Sequence, residues 1–203
     1  IINALALLGW STENEIFSMN ELIESFNLKN VQKGAAVFDL KRFNWVSSQQ
    51  LAKLNDDDFC EEIEPFMKVE GINDNAPNYK KILLAMRTSK TNLKEIAQAT
   101  RPFFYELEGY DEKGVNKFLN ESLETLTFAL EALSNLSEWN ETELDMVLIN
   151  VRDYFNLPIP KVNQPMRIAL VGSTISPSLG LTLELFGKEK SLERIQKAID
   201  FIS

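Results

Sequence analysis

The sequence predicts an all-α fold, and three observations carry that prediction. Helix-capping residues recur along the 203-residue chain, each just ahead of apolar residues spaced three or four apart. Strictly alternating runs are scarce, and Ile168-Ala169-Leu170-Val171 is the single plausible strand. No internal repeat or low-complexity tract interrupts the pattern, so the expected architecture is a helical bundle with short connections.

Taken in order, Ser18 and Glu21 have the spacing of a capping box ahead of Leu22, Ile23 and Phe26, which share a helical face. Asp39 is placed to cap a helix carrying Phe43, Val46, Leu51 and Leu54. Asp56-Asp57-Asp58 precedes Phe59, Ile63, Phe66 and Met67. Three carboxylates suit the positive end of a helix dipole, and they read as a helix entrance rather than a metal site. Asn75-Ala76-Pro77 opens a helix through Tyr79, Ile82, Leu83 and Met86, with proline in the first turn. Asn92 and Glu95 repeat the cap spacing before a turn at Arg101-Pro102, and Phe103, Phe104 and Tyr105 follow as an aromatic plug between helices.

From Glu108 to Gly114 the composition turns polar, which makes this stretch the best internal boundary. Beyond it, one long helix is expected from Val115 to Leu136, and Asn140 with Glu143 caps the next. Leu157-Pro158-Ile159-Pro160 ends that helix, because a residue preceding proline disfavours the helical backbone. Three short helices close the chain. The first is led by Pro165 and stops at Gly172, the second follows Ser176-Pro177 as cap and first turn, and the third runs from Ser191 to Ile202.

Composition narrows the function. The 44% hydrophobic and 25% charged fractions are those of a globular chain. No apolar run approaches the roughly 18 residues that cross a bilayer, so no membrane partner is expected. Without histidine there is no Ser-His or Cys-His nucleophile and no imidazole-ligated metal; Cys60, the single cysteine, reads as a small buried hydrophobe. A net charge of −9 argues against coating nucleic acid by counterion release, yet it permits recognition of splayed single-stranded RNA bases through a few placed contacts. Gly172 to Gly180 lacks the Gly-Lys-Ser/Thr ending of a phosphate loop. The pairs Glu61/Glu62 and Glu138/Glu141 read as solvated faces rather than acid/base pairs.

Ordered motifs take the reading further. Asn3-Ala4-Leu5-Ala6-Leu7-Leu8-Gly9-Trp10-Ser11, then Glu15-Ile16-Phe17-Ser18 with Glu21-Leu22-Ile23, then Ala36-Val37-Phe38-Asp39 leading to Trp45 all lie in the first quarter. Gln164-Pro165-Met166-Arg167-Ile168-Ala169-Leu170-Val171-Gly172 and Ser176-Pro177-Ser178-Leu179 running into Phe186-Gly187-Lys188-Glu189 lie near the end. In this order and spacing, across essentially the whole chain, they resemble the C-terminal half of bacterial-type glutamyl-tRNA synthetases.

The resemblance implies a class I synthetase, a ligase joining glutamate to tRNA with ATP. Its catalytic domain, with the ATP and Mg it uses, lies upstream of residue 1, so this chain holds no cofactor and is inactive alone. It implies a helical cage of the anticodon-binding type, with residues 1–55 contacting the tRNA stem and two anticodon-binding subdomains at 56–108 and 109–203. The expected partners are the tRNA for glutamate and the upstream catalytic domain, in a cytoplasmic monomer.

By resemblance, Gln164, Arg167, Ser176, Pro177 and Leu179 fall where the family reads the first and middle anticodon bases. Arginine offers a planar donor fork and a Ser-Pro turn presents backbone groups to a base edge. Ser176-Pro177 also works as a plain helix cap, and Arg167 as a bridge to a nearby carboxylate. Arg87-Thr88-Ser89-Lys90 resembles the segment serving the third base, with Ser89 or Lys90 in the key place. The chain departs from the family after Trp45, where Ser47 and Gln50 replace a common Asn and Tyr of the stem contact. The competing reading is a helical protein-interaction module with an acidic surface.

Overall fold

A computed structural model of the chain describes every residue except Ser11, Glu13, Ala35 and Ala36. Two of these, Ser11 and Ala36, belong to the family-like segments quoted above and lie outside the described residues. Among the described residues there are twelve α-helices and no strand pairing beyond one isolated antiparallel bridge, Trp10 to Val31. The chain divides into two compact units: residues 1–71 with 90–99, and residues 72–89 with 100–203.

The first unit contains α1 (Ile2–Ala6), α2 (Met19–Ser25), α3 (Leu40–Lys53) and α4 (Asp56–Val69). The Ser18 capping box forms as expected: its hydroxyl accepts from the Glu21 amide, and the Glu21 carboxylate accepts from the Ser18 amide at 2.7 Å. Asp39 caps α3 by accepting from the Lys41 and Arg42 amides. The cap of α4 is Asn55, so the three aspartates occupy the first helical turn itself.

A small core gathers Ala4, Leu7, Trp10, Phe17, Leu22 and Val46. Three segments meet at the buried side chain of Asn3. Its amide donates to the Glu15 carbonyl at 2.9 Å, and its oxygen accepts from the Phe17 amide and from Gln50 Nε2. Only Leu22 of the expected α2 face is buried; Ile23 stays 69% exposed and Phe26 packs its ring on Trp10 instead. Ile2, Leu5, Ala6, Leu22, Ile23 and Phe26 line an open apolar groove.

The second unit holds α5 (Tyr79–Met86), α7 (Glu112–Gly114), α8 (Leu123–Ser134), α9 (Glu141–Phe155), α10 (Ile159–Val171), α11 (Leu179–Phe186) and α12 (Lys188–Ile202). The helix α6 (Leu93–Phe104) contributes to both units. Here α12 packs on α8 and α10, and α11 lies along α9. The fully buried Leu119, Leu133, Leu144, Ile168, Leu183 and Ile195 form much of the interior.

Several helices differ from their expected form, each for a local reason. Pro77 is not in the first turn of α5, which starts after Asn78 in the left-handed region at φ 57°. α6 runs through Pro102 to Phe104 rather than turning there. Phe103 then stacks on Phe186 with centroids 4.7 Å apart, and Phe104 meets Tyr79.

The long helix expected over 115–136 breaks. A π-helical turn spans Val115–Leu119, and the Ser122 hydroxyl donates to the Leu119 carbonyl at 2.6 Å, offering the backbone an alternative to the helical ladder. Pro165 lies inside α10, which begins six residues earlier at Ile159. The one plausible strand, 168–171, is the last turn of that helix, in keeping with the helix expected to stop at Gly172. A short apolar run buried on every side has no periodicity to separate helix from strand. Ser178, not Ser176, is the N-cap of α11, and α12 starts at Lys188, three residues before Ser191.

Candidate functional site

The sequence-predicted residues of the last third converge on the C-terminal half of α10 and the turn that follows it. Gly172 ends α10 at φ 72°, a left-handed conformation that glycine adopts without penalty. The chain then turns through 173–178 before α11.

Across this turn Arg167 reaches Ser176 and Pro177. Its Nε donates to the Ser176 hydroxyl at 2.8 Å and its Nη2 to the Pro177 carbonyl at 3.4 Å. Ser176 is also within 3.1 Å of the Thr182 hydroxyl, whose shorter bond, 2.8 Å, goes to the Ser178 carbonyl. Ser176 therefore does not cap a helix, and among the described residues no carboxylate pairs with Arg167. Burial holds the Arg167 guanidinium below its ordinary pKa, but a guanidinium stays charged at neutral pH. Of its five N–H donors, the Nη1 pair and one Nη2 hydrogen keep no protein partner, leaving one edge of the fork for a ligand.

Gln164 lies three residues earlier on α10, on the same face as Arg167. Its Oε1 is buried and without a hydrogen-bond partner. The fixed cationic fork offers donors of the kind that pair with the acceptors of a nucleobase edge. Leu179 is placed differently: as the first residue of α11 it is 3% exposed, with its side chain in the core.

The 87–90 segment is not gathered into one cluster. Arg87 is the half-buried C-cap of α5, and the Ser89 amide donates to the Met86 carbonyl at 2.9 Å. The Ser89 hydroxyl is buried and unpaired. Lys90 belongs to the other compact unit. Of the two departures after Trp45, Gln50 makes specific contacts, its amide donating to Asn3 Oδ1 at 2.8 Å and to the Phe17 carbonyl at 2.7 Å. Gln50 ties α3 to the start of the chain, and Ser47 lines the pocket beside it.

Three features escaped the sequence because their partners are distant in the chain. Arg194, 2% exposed, donates to the Leu170 carbonyl and, at 2.7 Å, to the Tyr105 carbonyl, and lies 4.5 Å over the Phe186 ring. Glu141 is not a purely solvated residue, since its carboxylate accepts from the Ser178 hydroxyl at 2.6 Å. Glu184 accepts from Lys81 and, at 2.7 Å, from the Glu141 amide.

The Lys81 hydrogen bond, more than the Glu141 amide, pulls the Glu184 carboxyl below its ordinary pKa. A carboxylate depressed in the folded state contributes stability that is complete above the ordinary glutamate range and is lost as pH falls through the depressed value. Glu184→Gln is expected to lower stability modestly at neutral pH and leave it nearly unchanged at acid pH, where the carboxyl is protonated, so that the acid limb flattens. Urea unfolding across pH checks this; an unaltered acid limb contradicts it.

No group of three or more Asp, Glu, Cys or His side chains able to hold a metal ion occurs among the described residues. No helix among them is long and apolar enough to cross a membrane.

Residues 58–199 match the family model described as an anticodon binding domain. The chain is 30% identical over 206 residues to glutamate–tRNA ligase 2 of Thermosipho melanesiensis, covering 98% of this chain and 45% of that protein. It is 32% identical over 209 residues to glutamate–tRNA ligase 1 of Caldanaerobacter subterraneus subsp. tengcongensis, covering all of this chain and 44% of that protein. Among solved structures, a glutamate tRNA ligase from Elizabethkingia meningosepticum, in complex with its amino acid, superposes with a TM-score of 0.80 at 28% identity. That superposition covers all of this chain and 41% of the other. A glutamate-tRNA synthetase from Elizabethkingia anophelis gives 0.76 at 29% identity, covering 98% and 40%. The chain thus spans less than half the length of the relatives it matches.

Proposed function

Since this chain belongs to the anticodon binding domain family, we propose that it recognises the anticodon of the glutamate tRNA for a glutamate–tRNA ligase. The observation that carries the reading is the open edge of Arg167, held in place by Ser176 and Pro177. Base edges are read by a few fixed donors and acceptors, whereas phosphates position the RNA. A protein of net charge −9 therefore gains selectivity here more than bulk affinity.

The finer division follows the same reading. Residues 1–55 contact the stem, and 56–108 and 109–203 form the two anticodon-binding subdomains, with Arg87, Ser89 and Lys90 serving the third base. Leu179 acts from the core, by fixing the start of α11. ATP, Mg and the ligation chemistry belong to the remaining part of the enzyme, which acts in the cytoplasm as a monomer. The exposed apolar residues Ile2, Leu5, Ile23 and Phe26 suit a surface that a catalytic domain covers.

Binding of this chain to glutamate tRNA, measured against salt, tests the reading. The expected result is measurable affinity at low salt, with a shallow log–log slope equivalent to a few phosphate contacts. No binding even at low salt overturns it in favour of a protein-interaction module.

A further inference from the structure

The turn that carries Ser176 and Pro177 is held from below by two carboxylates of α9. Ser178 is the N-cap of α11, yet its hydroxyl makes no bond to its own helix. It donates instead to Glu141 Oε1 at 2.6 Å. Two residues on, the Gly180 amide donates to Asp145 Oδ1 at 3.1 Å. Glu141 and Asp145 are four apart on α9 and share a face.

The fit leaves no slack. A Cβ on Gly180 would stand 2.5 Å from Asp145 Oδ1 and 2.8 Å from the Glu141 carbonyl. The grip is reciprocal, because the Glu184 carboxylate of α11 accepts from the Glu141 amide at the start of α9. The N-terminus of α11 carries partial positive charge and would otherwise draw a phosphate. Here two protein carboxylates already face it.

We propose that Asp145, with Glu141, is a positioning residue for anticodon reading: it fixes the Ser176-Pro177 turn against Arg167 and keeps RNA phosphate off the α11 terminus. The inference rests on the proposed function and adds a sign that mere destabilisation does not have. Losing the clamp weakens the cognate complex, while losing a negative charge leaves non-cognate binding unchanged or tighter.

The experiment measures the affinity of this chain, unaltered and as Asp145→Ala, Asp145→Asn and Glu141→Gln, for the glutamate anticodon stem-loop and for the same loop with substituted anticodon bases. Asp145→Ala is expected to cut the ratio of the two affinities about five- to tenfold, the effect of losing one ordinary hydrogen bond. The cut comes from the cognate side, with substituted-loop affinity unchanged or raised. Asp145→Asn, which keeps an acceptor for Gly180, is expected to recover most of the ratio, and Glu141→Gln to behave likewise. Amide exchange at Gly180, read on the free protein, is expected to quicken in Asp145→Ala alone. An unchanged ratio in Asp145→Ala, or both affinities falling together, overturns the positioning role. A ratio near one in the unaltered chain overturns the anticodon reading and this inference with it.

Discussion

Arg167→Ala is expected to lower the preference of this chain for the glutamate anticodon stem-loop over a substituted loop by about 10- to 100-fold. A bidentate side-chain contact to a base edge is worth roughly 1–3 kcal/mol of discrimination. The Arg167 fork is already oriented by Ser176 and Pro177, so little of that is lost to ordering the side chain. Affinity for the substituted loop should stay near its original value, because the phosphate contacts are untouched. The folded state should lose no more than about 1–2 kcal/mol, the range for two hydrogen bonds of a half-buried group. Arg167→Lys should fare little better, since one ammonium cannot satisfy the turn and a base edge together. Equal losses for both loops contradict base reading at this residue.

The second large effect concerns stability. Arg194→Met is expected to destabilise the protein by about 2–4 kcal/mol in urea unfolding. The Leu170 and Tyr105 carbonyls lie at the C-termini of α10 and α6, where helices leave their last acceptors unpaired. One buried guanidinium serves both, and methionine fills the volume while removing both hydrogen bonds, at about 1–3 kcal/mol each. Relief of a desolvated cation offsets part of this, because burial holds the Arg194 guanidinium below its ordinary pKa. A change under about 0.5 kcal/mol would show that water or backbone adjustment replaces Arg194. The end of α10 that Arg194 secures is also the end that leads into the turn carrying Ser176 and Pro177.

What the sequence disclosed follows the range of each interaction. The caps at Ser18, Asp39, Asn92 and Asn140 each close onto an amide two or three residues away, so their chemistry is written locally. The left-handed Gly172 stop is local too. Interior breaks were harder. Pro165 has the signature of a helix start, and only burial of the whole α10 turn makes an internal position tolerable. The pause at Ser122 depends on one hydroxyl choosing a carbonyl over solvent.

The site divides the same way. Arg167, Ser176 and Pro177 lie within ten residues of each other, and their convergence follows from one helix end and one turn. The Asp145–Gly180 bond spans 35 residues, the Glu141–Ser178 bond 37 and the Arg194–Tyr105 bond 89. No local pattern encodes such pairs; Glu141 has the sequence setting of any exposed helix glutamate, and only the packing of α11 on α9 gives it a partner. Gln50, a departure from the family pattern, proved to be the clasp on Asn3, a role set by the packing of α3 on the first residues.

The most direct test of anticodon reading is the affinity of the unaltered chain for two stem-loops at one near-physiological salt concentration. One loop carries the glutamate anticodon and the other differs only in its three anticodon bases. The glutamate loop is expected to bind at least about tenfold more tightly, the contribution of one well-made base contact. Equal affinities for the two loops would mean that this domain holds RNA without reading it.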